Sequence, residues 1–198
     1  MDSFSNSYHF QLVELAVMKS SNFLAIAGLA SFAVFATAAL ANTKAEIDSS
    51  VRDSLKQFRT LHSSNQGLEN KAAGVLVFPT VTKGGVGVAG EYGEGVLQVK
   101  GKTVGYYSVS SASVGLTLGV GSRSEVVMFN TQAALDNFTG SKGWSIGADT
   151  GVAVLSKGSG GEYDTQTLQK PIVGFVYGEK GLIADLSLEG SKISKLDK

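Results

Sequence analysis

The chain has 198 residues, with 17 basic and 17 acidic side chains, 25 glycines and no cysteine. That length suits one ordinary domain, and the balanced charge argues against nucleic acid as the main partner. Without cysteine there is no disulfide, no thiolate nucleophile and no zinc–thiolate site.

Residues 1–17 contain Asp2 and Glu14 but no Lys or Arg, unlike the start of a signal peptide, and read as an extra or mis-assigned N-terminal extension. Residues 18–41 read as a signal peptide. Lys19 precedes an apolar run over residues 23–40, and Ala39-Leu40-Ala41 closes it with the small-x-small pattern of a signal-peptidase site. Cleavage after Ala41 is expected, with an uncleaved membrane anchor as the alternative. Residues 42–198 are then a single exported domain, most simply periplasmic.

Residues 43–63 predict an amphipathic helix, with Ile47, Val51, Leu55, Phe58 and His62 on its apolar side. Thr43 and Glu46 have the spacing of a capping box. A second short helix is expected over residues 65–72. From Gly74 the composition changes to Val and Gly. Three apolar runs, 75–78, 86–89 and 96–99, are bounded by Pro79, by Gly84-Gly85 and by Gly93-Glu94-Gly95, and read as strands joined by tight turns. Gly85, Gly87 and Ala89 fall at period two, so one strand face is nearly bare, as where another backbone, a bulky side chain or a ligand comes close. The same residues match Gly-x-Gly-x-x-Gly, but that pattern binds dinucleotides only where a helix follows, and here another strand does.

Lys100-Gly101-Lys102-Thr103 reads as a hairpin turn, residues 104–120 as an alternating strand, Ser122-Arg123-Ser124 as a turn and residues 125–130 as a buried strand. A short helix is expected over 131–138, a strand over 143–155, a flexible turn over 157–161, and a last hairpin of strands 171–177 and 182–188 around residues 178–181. The sum is mainly β with accessory helices (α+β): an antiparallel twisted sheet, or a sandwich or barrel-like form, of eight or nine strands with the amphipathic N-terminal helix packed on it.

Past the leader the only histidine is His62, so a Ser–His–Asp triad has one possible base and no nucleophile-elbow pattern to go with it. Glu91, Glu94 and Asp149 can in principle act as acid and base or hold a hard cation, but no catalytic set, cofactor or metal is expected. Lys71, Lys83, Lys100, Lys102 and Arg123 fall at predicted strand ends or turns. Gathered at one end of the sheet they would form an anionic-lipid patch, each worth about 1 kcal/mol. Four supply roughly 4 kcal/mol, only millimolar-class binding. An apolar partner is therefore needed: Tyr106 and Tyr107, the first helix, or a lipid tail against the Gly85–Gly87 face.

Five ordered blocks carry a family resemblance. They are residues 71–79 (KAAGVLVFP), 83–97 (KGGVGVAGEYGEGVL), 113–119 (SVGLTLG), 147–153 (GADTGVA) and 181–190 (GLIADLSLEG). Together they resemble the SYLF domain over roughly residue 43 to the C-terminus. The resemblance implies an exported bacterial lipid-binding protein whose relatives in eukaryotes bind phosphoinositides and, in some cases, actin filaments. It places Lys71 and Lys83 in the family's basic segment. Ser110-Ser-Ala-Ser113 stands where the family usually has Gly-Gly-Ser, and Thr117 where Gln is common. An exported domain has no access to actin. The expectation is a non-enzymatic domain binding anionic phospholipid, through a phosphoinositide-like headgroup or its acyl chains, at the envelope membrane surface. A small outer-membrane β-barrel is the alternative, and a lipid-acting enzyme a weaker one.

Overall fold

The computed structural model describes residues 42–141, 143–147, 152–156, 168–181, 188 and 190–198. The readings of the leader and of residues 148–151, 157–161 and 182–187 lie outside them.

Helix α1 (Lys44–Leu61) begins where its capping box requires. Thr43 Oγ1 accepts from the Glu46 backbone N–H at 3.3 Å, and the Glu46 carboxylate accepts from the Thr43 N–H at 2.8 Å. Ile47, Val51, Leu55 and Phe58 form its buried side, as their spacing predicts. A short helix α2 (Asn65–Lys71) follows.

Strands β1 (Gly74–Val99) and β2 (Lys102–Phe129) pair antiparallel from end to end. Lys100 and Gly101 turn between them, both at positive φ (50° and 73°), as a two-residue type I′ hairpin demands. The tight turns expected at Pro79, Gly84-Gly85, residues 93–95 and residues 122–124 are absent. The ladder runs through them, and bulges at Phe78/Val81, Val86/Val88 and Leu97/Gln98 absorb the irregularities. A continuous partner strand satisfies the backbone across a breaker, and Pro79 survives because it sits in a bulge.

Helix α3 (Gln132–Gly140), capped by Thr131, follows β2. Then come β3 (Trp144–Ser145), β4 (Val152–Ser156), β5 (Ile172–Gly181) and β6 (Lys192–Leu196). The second edge of β2 is shared: residues 106–110 pair with β6 and residues 121–129 with β5. β3 lies on β6, and β4 runs parallel on β5. The turn expected at residues 178–181 is instead the end of β5, which stays extended on β2 with a bulge between Ser122 and Ser124. The class is α+β, a mainly antiparallel curled sheet whose first two strands are longer than expected, with helices packed on it.

Alternation along the strands sorts side chains to two apolar clusters. Val75, Val77, Val126, Met128, Val173, Phe175 and Tyr177 meet α1, where the Phe58 and Phe175 rings stand 5.1 Å apart. Leu76, Phe78, Val127 and Phe129 meet α3, β6 and Trp144, with Phe129 and Phe138 4.8 Å apart. β1 also doubles back on itself. A Cβ at Gly93 would lie 2.7 Å from Thr80 O, and one at Gly95 would collide with Val77 O and Phe78. These two glycines let the first and last parts of one strand touch backbone to backbone.

Candidate functional site

Doubling back folds four charged side chains into the sheet. Glu91 receives Lys83 Nζ at 3.1 Å and Arg123 Nη2 at 2.7 Å, and Arg123 Nε reaches Glu125 Oε1 at 2.8 Å. Arg123 and Glu125 side chains are each only 1% exposed. Burial works to raise the Glu91 pKa, but Arg123 and Lys83 outweigh it and hold the carboxyl below its ordinary value. For Glu125 burial wins over Arg123 and pushes the pKa up to about 7, and its second oxygen, Oε2, is buried with no hydrogen-bond partner.

The expected surface roles of Lys83 and Arg123 therefore meet a different geometry. The structure brings these two together, but inward and around Glu91, because a buried carboxylate needs cationic partners. The bare glycine face is likewise covered from within. A Cβ at Gly85 would collide with Val88 O and Ala89, and Ala89 is buried. Gly87 lies in the Val86/Val88 bulge. The space expected for a lipid tail against Gly85 is filled by the chain's own backbone.

Lys100 and Lys102 are exposed at the hairpin turn, and Lys71 is exposed in the last turn of α2. Tyr106 donates its hydroxyl to Asp48 Oδ2 at 3.0 Å, with Lys44 Nζ 5.7 Å from its ring centroid. Tyr107 is buried, its ring 5.0 Å from Phe138. Both tyrosines thus help hold the helices to the sheet. His62 faces Ser64 Oγ through Nδ1 at 2.7 Å, a local contact beyond the end of α1. Among the described residues no group of three His, Cys, Asp or Glu side chains could hold a metal ion.

Two features emerge that sequence reasoning did not mark. Where β1 and β2 bend, Val86, Val88 and Val120 are 79%, 54% and 71% exposed. In sequence Val86 and Val88 belong to the apolar run 86–89 and Val120 to the alternating strand 104–120, and nothing in that local pattern says that this part of the ladder is exposed. Beside them, between α1 and the bulge on β2 and β5, a polar cleft of about 290 Å³ is lined by Ser50, Gln57, Thr80, Ser122 and Lys180 among others. Gly178 lines that cleft at a φ of +69°, the left-handed backbone that favours glycine, and a Cβ there would be in ordinary contact with Gln57 and Ser124 at 3.4–3.5 Å. The only sequence hint was the pair of small polar residues Ser122 and Ser124 flanking Arg123, which local reading took for a turn.

Residues 110–198 match the model of the Ysc84 family, described as Las17-binding protein actin regulator. Among curated proteins none matches the chain. The family is one of non-enzymatic binding domains, of lipids or actin-related partners. From the middle of β2 through β6, then, the chain is similar to the Ysc84, or SYLF, family, in keeping with the resemblance that its residue blocks carry.

Proposed function

We propose that this protein binds anionic phospholipid at a membrane surface, without catalysis, and that it does so after export. The observation that carries the reading is the exposed bend at Val86, Val88 and Val120, where most other large apolar side chains of the described residues, Tyr92 and Val104 apart, are buried in two clusters. Valines this exposed, taken out of water, together contribute about 3 kcal/mol. One basic group near an anionic surface adds about 1 kcal/mol. The sum corresponds to reversible binding of roughly millimolar class or somewhat tighter. The leader-like residues 18–41 support export, and the family match supports a lipid-binding or actin-regulator-like domain.

The test is co-sedimentation of the purified protein with neutral and anionic vesicles. Binding that rises with anionic content, and is lost when Val86 and Val120 are both changed to Asp in a still-folded protein, is the expected result. Equal recovery in the supernatant for both vesicle types would overturn the reading. The family's description favours a second reading, binding of an actin-related partner, which filament co-sedimentation separates from the first.

A further inference from the structure

We propose that removal of the leader after Ala41 completes an ion pair within the domain: the new α-ammonium of Asn42 docks on the carboxylate of Glu94, beside Lys198. The inference rests on the export reading and says what the cut does to the folded domain.

The partners already stand in place. The Asn42 backbone N–H donates to Glu94 Oε2 at 3.1 Å, across 52 residues of chain. Lys198 Nζ donates to the same oxygen at 3.0 Å and also to Asn42 O. Tyr92 donates its hydroxyl to the other oxygen, Oε1, at 3.0 Å. Burial, then Glu94 itself, pushes the Tyr92 pKa up to about 12, so the phenol keeps its proton and remains a donor. The Glu94 side chain is only 4% exposed. A carboxylate this buried needs compensating charge.

The cut changes one of these partners. Water adds across the Ala41–Asn42 peptide, as in signal-peptidase cleavage. Its oxygen completes the Ala41 carboxylate, both its hydrogens end on the Asn42 nitrogen, and the C–N bond breaks. A neutral amide with one proton becomes an ammonium with three. The nitrogen stays within reach of Glu94 because the next residue is fixed: Thr43 is the N-cap of α1, closed by its capping box with Glu46. A neutral hydrogen bond becomes a charge-assisted one, roughly twice as strong.

Charge balance points the same way. Asn42 lines a cleft of about 270 Å³ whose charged lining residues, Glu46 and Glu94, are both acids. Hydrogen bonds from Thr43 hold the Glu46 carboxyl below its ordinary value, and the Lys198 charge adds to them. Among the described side chains, two carboxylates therefore share the one cation, Lys198, until the ammonium supplies a second. A positive charge at a helix N-terminus opposes the helix dipole. Glu94 and Glu46 are what make this start acceptable to α1.

The test expresses the full chain with its leader in a bacterial host and recovers the exported protein. Intact mass and N-terminal sequencing fix its first residue. Competitive acetylation across pH, read by mass spectrometry of the N-terminal peptide, gives the pKa of the terminal amine, and thermal melts report folding. The expected first residue is Asn42. Its amine should titrate at least about one unit above the ordinary range of roughly 7.7–8.0, and return to that range in Glu94→Gln. Lys198→Met removes the competing cation and should raise the amine pKa further, which keeps the comparison available where Glu94→Gln fails to fold. A wild-type amine titrating in the ordinary range overturns the ion pair, while the cut after Ala41 leaves the export reading standing. An exported chain that begins at another residue beyond the leader does the same. A chain recovered with its leader uncut overturns both.

Discussion

Arg123 and Glu125, two residues apart on the same face of β2, form a 2.8 Å ion pair from which water is almost wholly excluded. Arg123 reaches on to Glu91, 32 residues earlier in the chain, so the pair ties the first arm of the folded hairpin to its second. Burying these charges costs solvation that only their mutual contacts offset. The orphan Oε2 of Glu125 marks where the offset is incomplete.

Stability is expected to depend on pH through Glu125. Its folded pKa of about 7 lies above the ordinary 4.5, so the folded state holds a proton that the unfolded state releases. That contribution is fully present below pH 4.5 and is lost as pH rises through about 7. Glu91, whose pKa is lowered, acts in the opposite sense, and only below its ordinary value. Thermal melts from pH 5 to 8 should show Tm falling with pH, and Glu125→Gln should flatten that slope. An unchanged slope in the variant would remove Glu125 from the account.

Removing the shared acceptor should be costly. Glu91→Ala leaves Lys83 and Arg123 buried with one carboxylate fewer between them, and a broken buried pair typically costs about 3–5 kcal/mol. Urea unfolding measures it. A loss below about 1 kcal/mol would mean that water enters the cluster and screens it.

Gly95→Ala should destabilise by about 3 kcal/mol or more, because the new methyl meets rigid backbone at Val77 rather than a side chain that can swing away. Gly90 is the control. A Cβ there meets nothing within 4 Å, so Gly90→Ala should fall within about 1 kcal/mol of the wild type. Chemical denaturation of the two variants side by side distinguishes close packing from a general dislike of side chains in β1.

Tyr177 fixes α1 over β5, next to the Gly178 bulge. Its hydroxyl lies 2.8 Å from Ser54 Oγ and 3.1 Å from Ser54 O, all buried. Tyr177→Phe strands the Ser54 hydroxyl and should cost about 1–3 kcal/mol. It should also loosen α1, read as faster amide exchange over residues 50–58 than over α3.

Some of this was legible one stretch at a time. The capping box at Thr43 and Glu46, the Lys100-Gly101 turn and the apolar spacing of α1 are settled within a few residues, and each stands where the pattern put it. Strand length was not legible. Pro79, the paired glycines at 84 and 85 and the run at 122–124 carry real breaker signals, but the pairing partner is up to 55 residues away and overrules them.

The amino-acid order by itself therefore determined the class of structure, the apolar side of α1 and the family resemblance, because alternation, capping and turn chemistry act over short range. Only the tertiary structure decided which charges face water. Lys83 and Arg123 are ordinary surface cations until β1 doubles back and brings Glu91 to both. It also decided which glycines are contacts rather than gaps, and that Val86, Val88 and Val120 remain uncovered at the bend. Burial depends on what the rest of the chain brings to a residue, and no local pattern contains that.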